Sequence, residues 1–259
     1  MKQRPSCGGS RHYRLADGRL KCRVCDKRFT WTSVWDSVRL SGSVKQRLLE
    51  LFVLGVPSYR QRFRSDTTAA TRERFYRLVR ACCAMVEQLR ERFEGALELD
   101  ETTFGGARKG KRGWGAAGKV IVFGLIKRNG RVKAMPIAAH DRITVMQQID
   151  AHSREGSLYY TDEWQAYATL RLRGEHVMIR KEKGRPVGRD RINGIEGFWS
   201  YAKNWLYPYR GVLSQYFHLY LVEVCYRFNH REQDLKPLLL KLLLTTSIQE
   251  IRPILVRKA

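Results

Sequence analysis

The sequence predicts an α/β protein built on a mixed sheet with flanking helices, preceded by a small cysteine-bearing segment and a helical region. Three observations lead there. Residues 96–104 alternate in polarity, with Leu97 and Leu99 facing one way and Glu98 and Asp100 the other, the period of a half-buried strand. Residues 120–125 and 132–137 flank Lys127-Arg128-Asn129-Gly130, and an Asn-Gly pair between two apolar runs is a hairpin signal. Further on, strand-like runs at 158–161 and 177–180 alternate with helical runs at 144–152 and 164–172, and strands interleaved with helices build α/β sheets. Residues 1–36, 37–95 and 96–259 are expected as three successive segments.

The chain of 259 residues is long enough to bury a sizeable core. Lys and Arg number 49 against 25 Asp and Glu, a formal net charge of +24, which calls for a polyanionic partner. Nucleic acid is the first candidate and an anionic membrane the weaker one, since each cation set against a phosphate adds sequence-independent affinity. The start of the chain lacks a signal-peptide core, and the apolar runs at 120–126 and 238–244 are too short to span a bilayer. The expectation is a soluble, cytoplasmic protein.

The first segment holds Cys7 and the pair Cys22-Arg23-Val24-Cys25 among glycines and basic residues, in the manner of a zinc ribbon. A ribbon normally has two Cys-x-x-Cys pairs, but the position expected to pair with Cys7 holds Arg4. Either His12 supplies a fourth Zn2+ ligand, or the metal is lost and packing holds the hairpin. Cys82, Cys83 and Cys225 lie in helical, apolar sequence and read as buried thiols.

From Ser43 the period becomes helical: Val44, Leu48, Leu49, Leu51, Phe52 and Leu54 recur at three and four until Gly55. A short segment opens at Val56-Pro57-Ser58, and a third begins after Asp66-Thr67-Thr68. Helix, glycine turn, helix and basic helix outline a helix-turn-helix, although a plain helical hairpin carries the same periodicity. Lys45, Arg60, Arg62, Arg64, Arg72, Arg74, Arg77 and Arg80 favour DNA binding over a solvated face of mixed sign.

Residues 105–119 contain both a Gly-x-Gly-x-x-Gly and a Gly-x-x-x-x-Gly-Lys match. A phosphate loop follows a strand and opens a helix, whereas Lys119 here precedes the strand-like Val120, so both matches are rejected. Arg108, Lys109, Lys111, Arg112 and Lys119 are instead expected in a DNA-contacting loop.

The constellation that carries chemistry is Asp100 on the first strand, Asp162 at the end of a later one, and Glu196 on the helix spanning 191–203. At helical spacing Asn193, Glu196 and Lys203 share a face, while Ile195, Phe198, Tyr201 and Ala202 turn inward. Trp199 is read as a core residue in preference to one stacked on a base. Three carboxylates brought together in this way can hold two divalent cations for phosphodiester displacement.

At these residues the sequence resembles a family. Leu99-Asp100-Glu101-Thr102-Thr103-Phe104-Gly105-Gly106, Tyr160-Thr161-Asp162, Ile192-Asn193-Gly194-Ile195-Glu196-Gly197-Phe198-Trp199 and Tyr226-Arg227-Phe228-Asn229 are similar to motifs of the ISXO-like insertion-sequence DDE transposases. The resemblance implies a ribonuclease H-like catalytic domain, a site holding two Mg2+ or Mn2+ ions, and cutting and joining of double-stranded DNA at terminal inverted repeats and target. Asp100 and Asp162 match the two aspartates, and Lys203 matches a basic residue after the third acid. Members of the group place Asn or Glu at the third position; Glu196 is favoured over Asn193 because a carboxylate brings charge to a dication. Lys203 and Arg191 are expected against phosphates, and a homo-oligomer is implied by the need to pair two ends. A catalytically inactive DNA-binding regulator and a structure-selective nuclease of the same fold are the alternatives.

Overall fold

The computed structural model describes residues 7, 9, 11–62, 66–89, 91–105, 119–182, 185–186, 191–209 and 212–255. In chain order the elements are strands β1 (His12–Arg14), β2 (Leu20–Cys22) and β3 (Arg28–Phe29), then helices α1 (Val34–Ser37), α2 (Gly42–Val53) and α3 (Ala69–Gln88). There follow β4 (Ala96–Phe104), β5 (Val120–Lys127), β6 (Val132–Ile137), α4 (Arg142–His152), β7 (Leu158–Thr161), β8 (Glu175–Met178), β9 (Lys181–Glu182) and β10 (Arg185–Pro186). The chain ends in α5 (Asn193–Leu206), α6 (Ser214–Asn229), α7 (Leu235–Thr245) and α8 (Ile248–Leu255). Two compact units result: residues 1–88 with 232–259, and residues 89–231.

In the first unit β1, β2 and β3 form a small antiparallel sheet in that order. The helical periodicity read from Val44 onwards is α2, and it stops where glycine is needed. Gly55 takes φ 71°, with its N–H on the Phe52 carbonyl and the Val56 N–H on the Leu51 carbonyl, a Schellman closure. The short segment that follows is one 3-10 turn, Ser58–Gln61. Thr68 caps α3 by accepting from the Thr71 N–H at 3.2 Å. The last two helices, α7 and α8, pack against α3, and residues 32–34 pair with 246–248 through the Val34 N–H to Thr246 carbonyl bond of 2.8 Å. The segment expected to run from 96 to 259 therefore ends, in packing terms, at 231.

Several cations expected to face DNA are in this core. Arg72 is buried, with Nε on the Ser58 carbonyl at 3.0 Å and Nη1 on the Thr67 carbonyl, so it clamps the turn before α3 and cannot contact DNA as expected. Lys45 reaches the Trp35 carbonyl at 3.0 Å, and Arg80 lies against Phe52 and Tyr76 while pairing with Glu73. Long stems pack on apolar rings while their heads find acceptors. Arg74, by contrast, is exposed, and with Arg39 it flanks a cleft of about 450 Å³ floored by Leu40, Phe75 and Leu78.

The second unit is the mixed sheet, ordered β6-β5-β4-β7-β8. Strands β6, β5 and β4 pair antiparallel, and β4, β7 and β8 pair parallel. This is the ribonuclease H-like mixed sheet with flanking helices. Each face has its own core. On one, Leu97, Leu99, Phe123, Leu125 and Tyr159 pack with Val145 and Ile149 of α4; on the other, Val122 and Ile126 pack with Ile195, Phe198 and Ala202 of α5 and Leu221 and Val224 of α6. At roughly 1.5–3 kcal/mol per fully buried large apolar side chain, these layers supply most of the drive to fold. The β5–β6 turn is a hairpin as expected, with Asn129 the left-handed residue at φ 55°. Asn229 closes the exposed edge of β6: its amide donates to the Val132 carbonyl at 3.0 Å and accepts from the Val132 N–H at 2.8 Å, as a neighbouring strand would.

The helix expected over 164–172 is instead two 3-10 turns, Gln165–Tyr167 and Leu170–Leu172. So short a stretch gains little from α-helical propagation, and 3-10 turns still bury Ala166, Tyr167 and Leu170.

Candidate active site

Strand β4 sets the site because its alternation sends consecutive acids to opposite faces. Glu98 and Asp100 face α5, and Glu101 faces the α4 side, where Tyr167 donates to its Oε1 at 2.5 Å. Parallel pairing sets Glu98 beside Tyr160. Continued by two residues, that register brings Asp100 level with Asp162, just past the end of β7. Both aspartates are half-buried, and both charges are felt at Glu101 and Tyr167. The Asp162 carboxylate is oriented by the Trp164 N–H, which donates to Oδ1 at 3.1 Å, and the Trp164 ring stacks on His140 at 3.8 Å.

Helix α5 lies over Asp100. The indole N–H of Trp199 donates to Asp100 Oδ2 at 3.0 Å. Glu196, one turn earlier, Asn193, at the first turn, and Lys203 are exposed on the flank of the helix beside Trp199. The three carboxylates Asp100, Asp162 and Glu196 do not stand mutually within 4.8 Å. Arg191 borders a cleft of about 310 Å³ with Arg128, Lys127, Asn193 and Glu98. Lys119 immediately precedes β5, at the sheet end where β4 finishes. Arg108, Lys109, Lys111 and Arg112, like Arg4 and Arg64, lie outside the described residues.

Two carboxyls that the sequence did not single out shape this region. Glu98 is buried, accepts from the Ile195 N–H at 2.9 Å, and is paired with Arg128 Nε at 3.1 Å. It caps α5 from the sheet, since Ile192 at the N-cap has no side chain able to do so. Gly194 leaves room for that approach: a Cβ there would lie 2.8 Å from Glu98 Oε2. Glu101 is pushed up to about 8, first by burial and then by the like charges of Asp100 and Asp162, with the Tyr167 hydroxyl opposing. His140, on the same side, is held below its ordinary range by burial, against the opposing pull of Asp162 and Asp141. The available sign was the run Leu-Glu-Leu-Asp-Glu, in which three acids within four residues on a buried strand demand partners.

The donor chemistry around Asp100 and Asp162 fits a hard divalent cation. Their ligand atoms are carboxylate oxygens, the two residues come level at the ends of adjacent parallel strands, and their like charges add to the burial that raises Glu101.

In the first unit Cys7, Cys22 and Cys25 bring their sulfurs within 4.8 Å of one another, the only such group of three among the described residues. Cys7 Sγ stands 3.5 Å from Cys22 Sγ and 3.4 Å from Cys25 Sγ, far beyond disulfide length and near the about 3.8 Å edge of a tetrahedral zinc thiolate site. The Val24 N–H donates to Cys22 Sγ at 3.4 Å. His12 is not brought into this cluster: its Nε2 bonds the Gly9 carbonyl at 2.8 Å, and its ring meets Phe29 edge-on.

The mixed sheet thus sets Asp100 and Asp162 level at the ends of adjacent parallel strands, beneath the helix that carries Glu196. Residues 92–229 match the model of the ISXO2-like transposase domain, more than half of the chain and nearly the whole of the second unit. The chain belongs to that family. Over 106 residues it is 31% identical to an uncharacterized transposase-like protein of Haemophilus influenzae, an alignment covering 40% of this chain and 86% of that protein. Membership implies transposase activity, DNA binding and a divalent metal. No helix among the described residues is long and apolar enough to cross a membrane.

Two outcomes are expected. Elemental analysis of protein purified without chelator should find zinc, and Cys22→Ser should lose it; zinc-free wild-type protein would mean that the thiols are held by packing alone. For Glu101 the raised value means that the folded state binds the proton more tightly than the unfolded chain. Its contribution to stability is therefore full below about pH 4.5 and is lost as pH rises through about 8. In EDTA, the midpoint of thermal unfolding should fall more steeply for wild type than for Glu101→Gln between pH 5 and 8. Parallel curves would show Glu101 to be ionised in the fold.

Proposed function

We propose that the protein is an insertion-sequence transposase that binds terminal inverted repeats and carries out DNA strand cleavage and strand transfer. The observation that carries this reading is the pairing of Asp100 with Asp162 at the ends of adjacent parallel strands inside a transposase-family domain. Asp100, Asp162 and Glu196 would hold the Mg2+ or Mn2+ ions, which when bound activate an attacking oxygen and stabilise a leaving one. Glu196 is preferred to Asn193 for charge and for its place one turn from Trp199; Asn193, at the first turn beside Glu98, is assigned to support of the helix start.

No protein nucleophile is needed: water attacks first, and then the DNA 3′-hydroxyl. Lys203 and Arg191 are assigned to phosphates flanking the scissile bond. Lys119, with Arg108, Lys109, Lys111 and Arg112 in the same basic segment, contributes sequence-independent affinity. The helical region of the first unit reads end-sequence DNA, with Arg74 in place of the buried Arg72. The protein works as a homo-oligomer on DNA, since two ends must be joined to one target, and it acts in the cytoplasm on nucleoid DNA.

Incubation of end-sequence DNA with protein and Mg2+ or Mn2+ should yield cut and joined products that disappear in Asp100→Asn and Asp162→Asn. Retarded but uncut DNA would point to a regulator, and cutting without joining or end preference to a nuclease. Glu196→Gln should abolish cutting while Asn193→Ala retains a measurable rate; the reverse result would transfer the third position to Asn193. For the DNA-binding unit, Arg74→Ala should weaken binding and lower the salt slope by about 0.9. Arg72→Ala should instead lower the unfolding temperature, and a normal melting curve for it would show that its two carbonyl bonds are dispensable.

A further inference from the structure

We infer that Trp199 is a positioning residue for Asp100: its indole N–H fixes the carboxylate in the orientation from which it takes a divalent cation. The inference rests on the reading of Asp100 as a metal ligand.

Three features lead to it. Trp199 is 4% exposed, and its N–H donates to Asp100 Oδ2 at 3.0 Å although the two residues come from different elements of the fold. An indole nitrogen is a donor only, so it can neither compete for the metal nor take up a proton.

The second feature is the seat built for the ring. Gly124 stands directly across from Asp100 in the β4–β5 register, and a Cβ at Gly124 would lie 2.5 Å from both Cζ2 and Cη2 of Trp199. The absence of a side chain on β5 is what lets the indole lie flat enough on the sheet to reach the neighbouring strand. Phe104, at a ring-centroid distance of 6.3 Å, and Phe198, at 5.1 Å, hold it there.

The third is the position of the bond on α5. Glu196 lies one turn before Trp199 on the same flank, so the contact that orients Asp100 also sets the height of the helix that presents the third acid. Hydrogen-bond partners of metal ligands typically change affinity by 10–100-fold when removed.

The test is titration of Mn2+ into DNA-free protein, followed by calorimetry, together with indole N–H resonances in nitrogen-15 spectra. Trp199→Phe keeps an aromatic ring and removes the donor; it is expected to remain folded and to bind Mn2+ about 10-fold more weakly or worse. Gly124→Ala, which displaces the ring while leaving Trp199 and Asp100 in place, should weaken binding in the same direction. Asp100→Asn should lose more, and the double variant with Trp199→Phe should bind no more weakly than Asp100→Asn alone. In wild-type protein one indole resonance should move on addition of Mg2+; the Asp100→Asn substitution by itself should displace that same resonance and remove its response to Mg2+, a comparison that needs no change at Trp199. Full Mn2+ affinity in folded Trp199→Phe beside loss in Asp100→Asn overturns the inference alone, as does an indole spectrum insensitive to Mg2+. Full affinity in Asp100→Asn overturns the metal assignment and the inference with it.

Discussion

The second unit depends on how α5 is fastened to β4. Two bonds do it: the Glu98 carboxylate accepts the Ile195 N–H at the start of the helix, and the Trp199 indole donates to Asp100 a turn further on. The first places a negative charge at the positive end of the helix dipole, where it is stabilising. A buried carboxylate also needs a counter-charge. Arg128 provides it, with Nε on Glu98, Nη2 on the Arg191 carbonyl at 2.6 Å, and its guanidinium 3.4 Å above the Tyr160 ring. Strand, helix and hairpin turn are thereby tied at one point, and the positions of Asn193 and Glu196 follow from it.

The same strand shows how environment assigns different work to neighbouring acids. Asp100 and Glu101 are adjacent in sequence, yet the pleat sends them to opposite faces. Asp100 meets a neutral donor and remains partly open. Glu101 is buried under Tyr167 and is driven towards the neutral acid by its surroundings and by the two aspartates. Tyr167 is in turn raised well above its usual range, by burial first and then by Glu101.

The cations divide in a comparable manner. A net charge of +24 suggests a uniformly basic surface, but Lys45, Arg72 and Arg80 are spent inside the first unit, on carbonyls, on Glu73 and against aromatic rings. Arg39 and Arg74 stand in water beside the cleft on α3. On α3 the distinction is the phase of the helix relative to the core, since residues 72 and 80 share the face of Phe75, Tyr76 and Val79 and residue 74 does not.

Local pattern was sufficient for much of this chain. Period-two alternation marked β4 and the faces of Glu98 and Asp100; Asn129-Gly130 marked the hairpin; Gly55 marked the end of α2; and the motifs around Asp100, Asp162 and Asn193 to Trp199 identified the family. These are properties of neighbouring residues, so the sequence alone determined them. Other features depend on which elements meet. That Asp100 and Asp162 lie level is a matter of parallel register, and the Glu98 cap, the Asn229 closure of β6 and the return of α7 and α8 to α3 join residues far apart in the chain. The burial of Arg72 and the exposure of Arg74 likewise required the packed helices, because a sequence lists charges without the desolvation and partners that decide what each charge does.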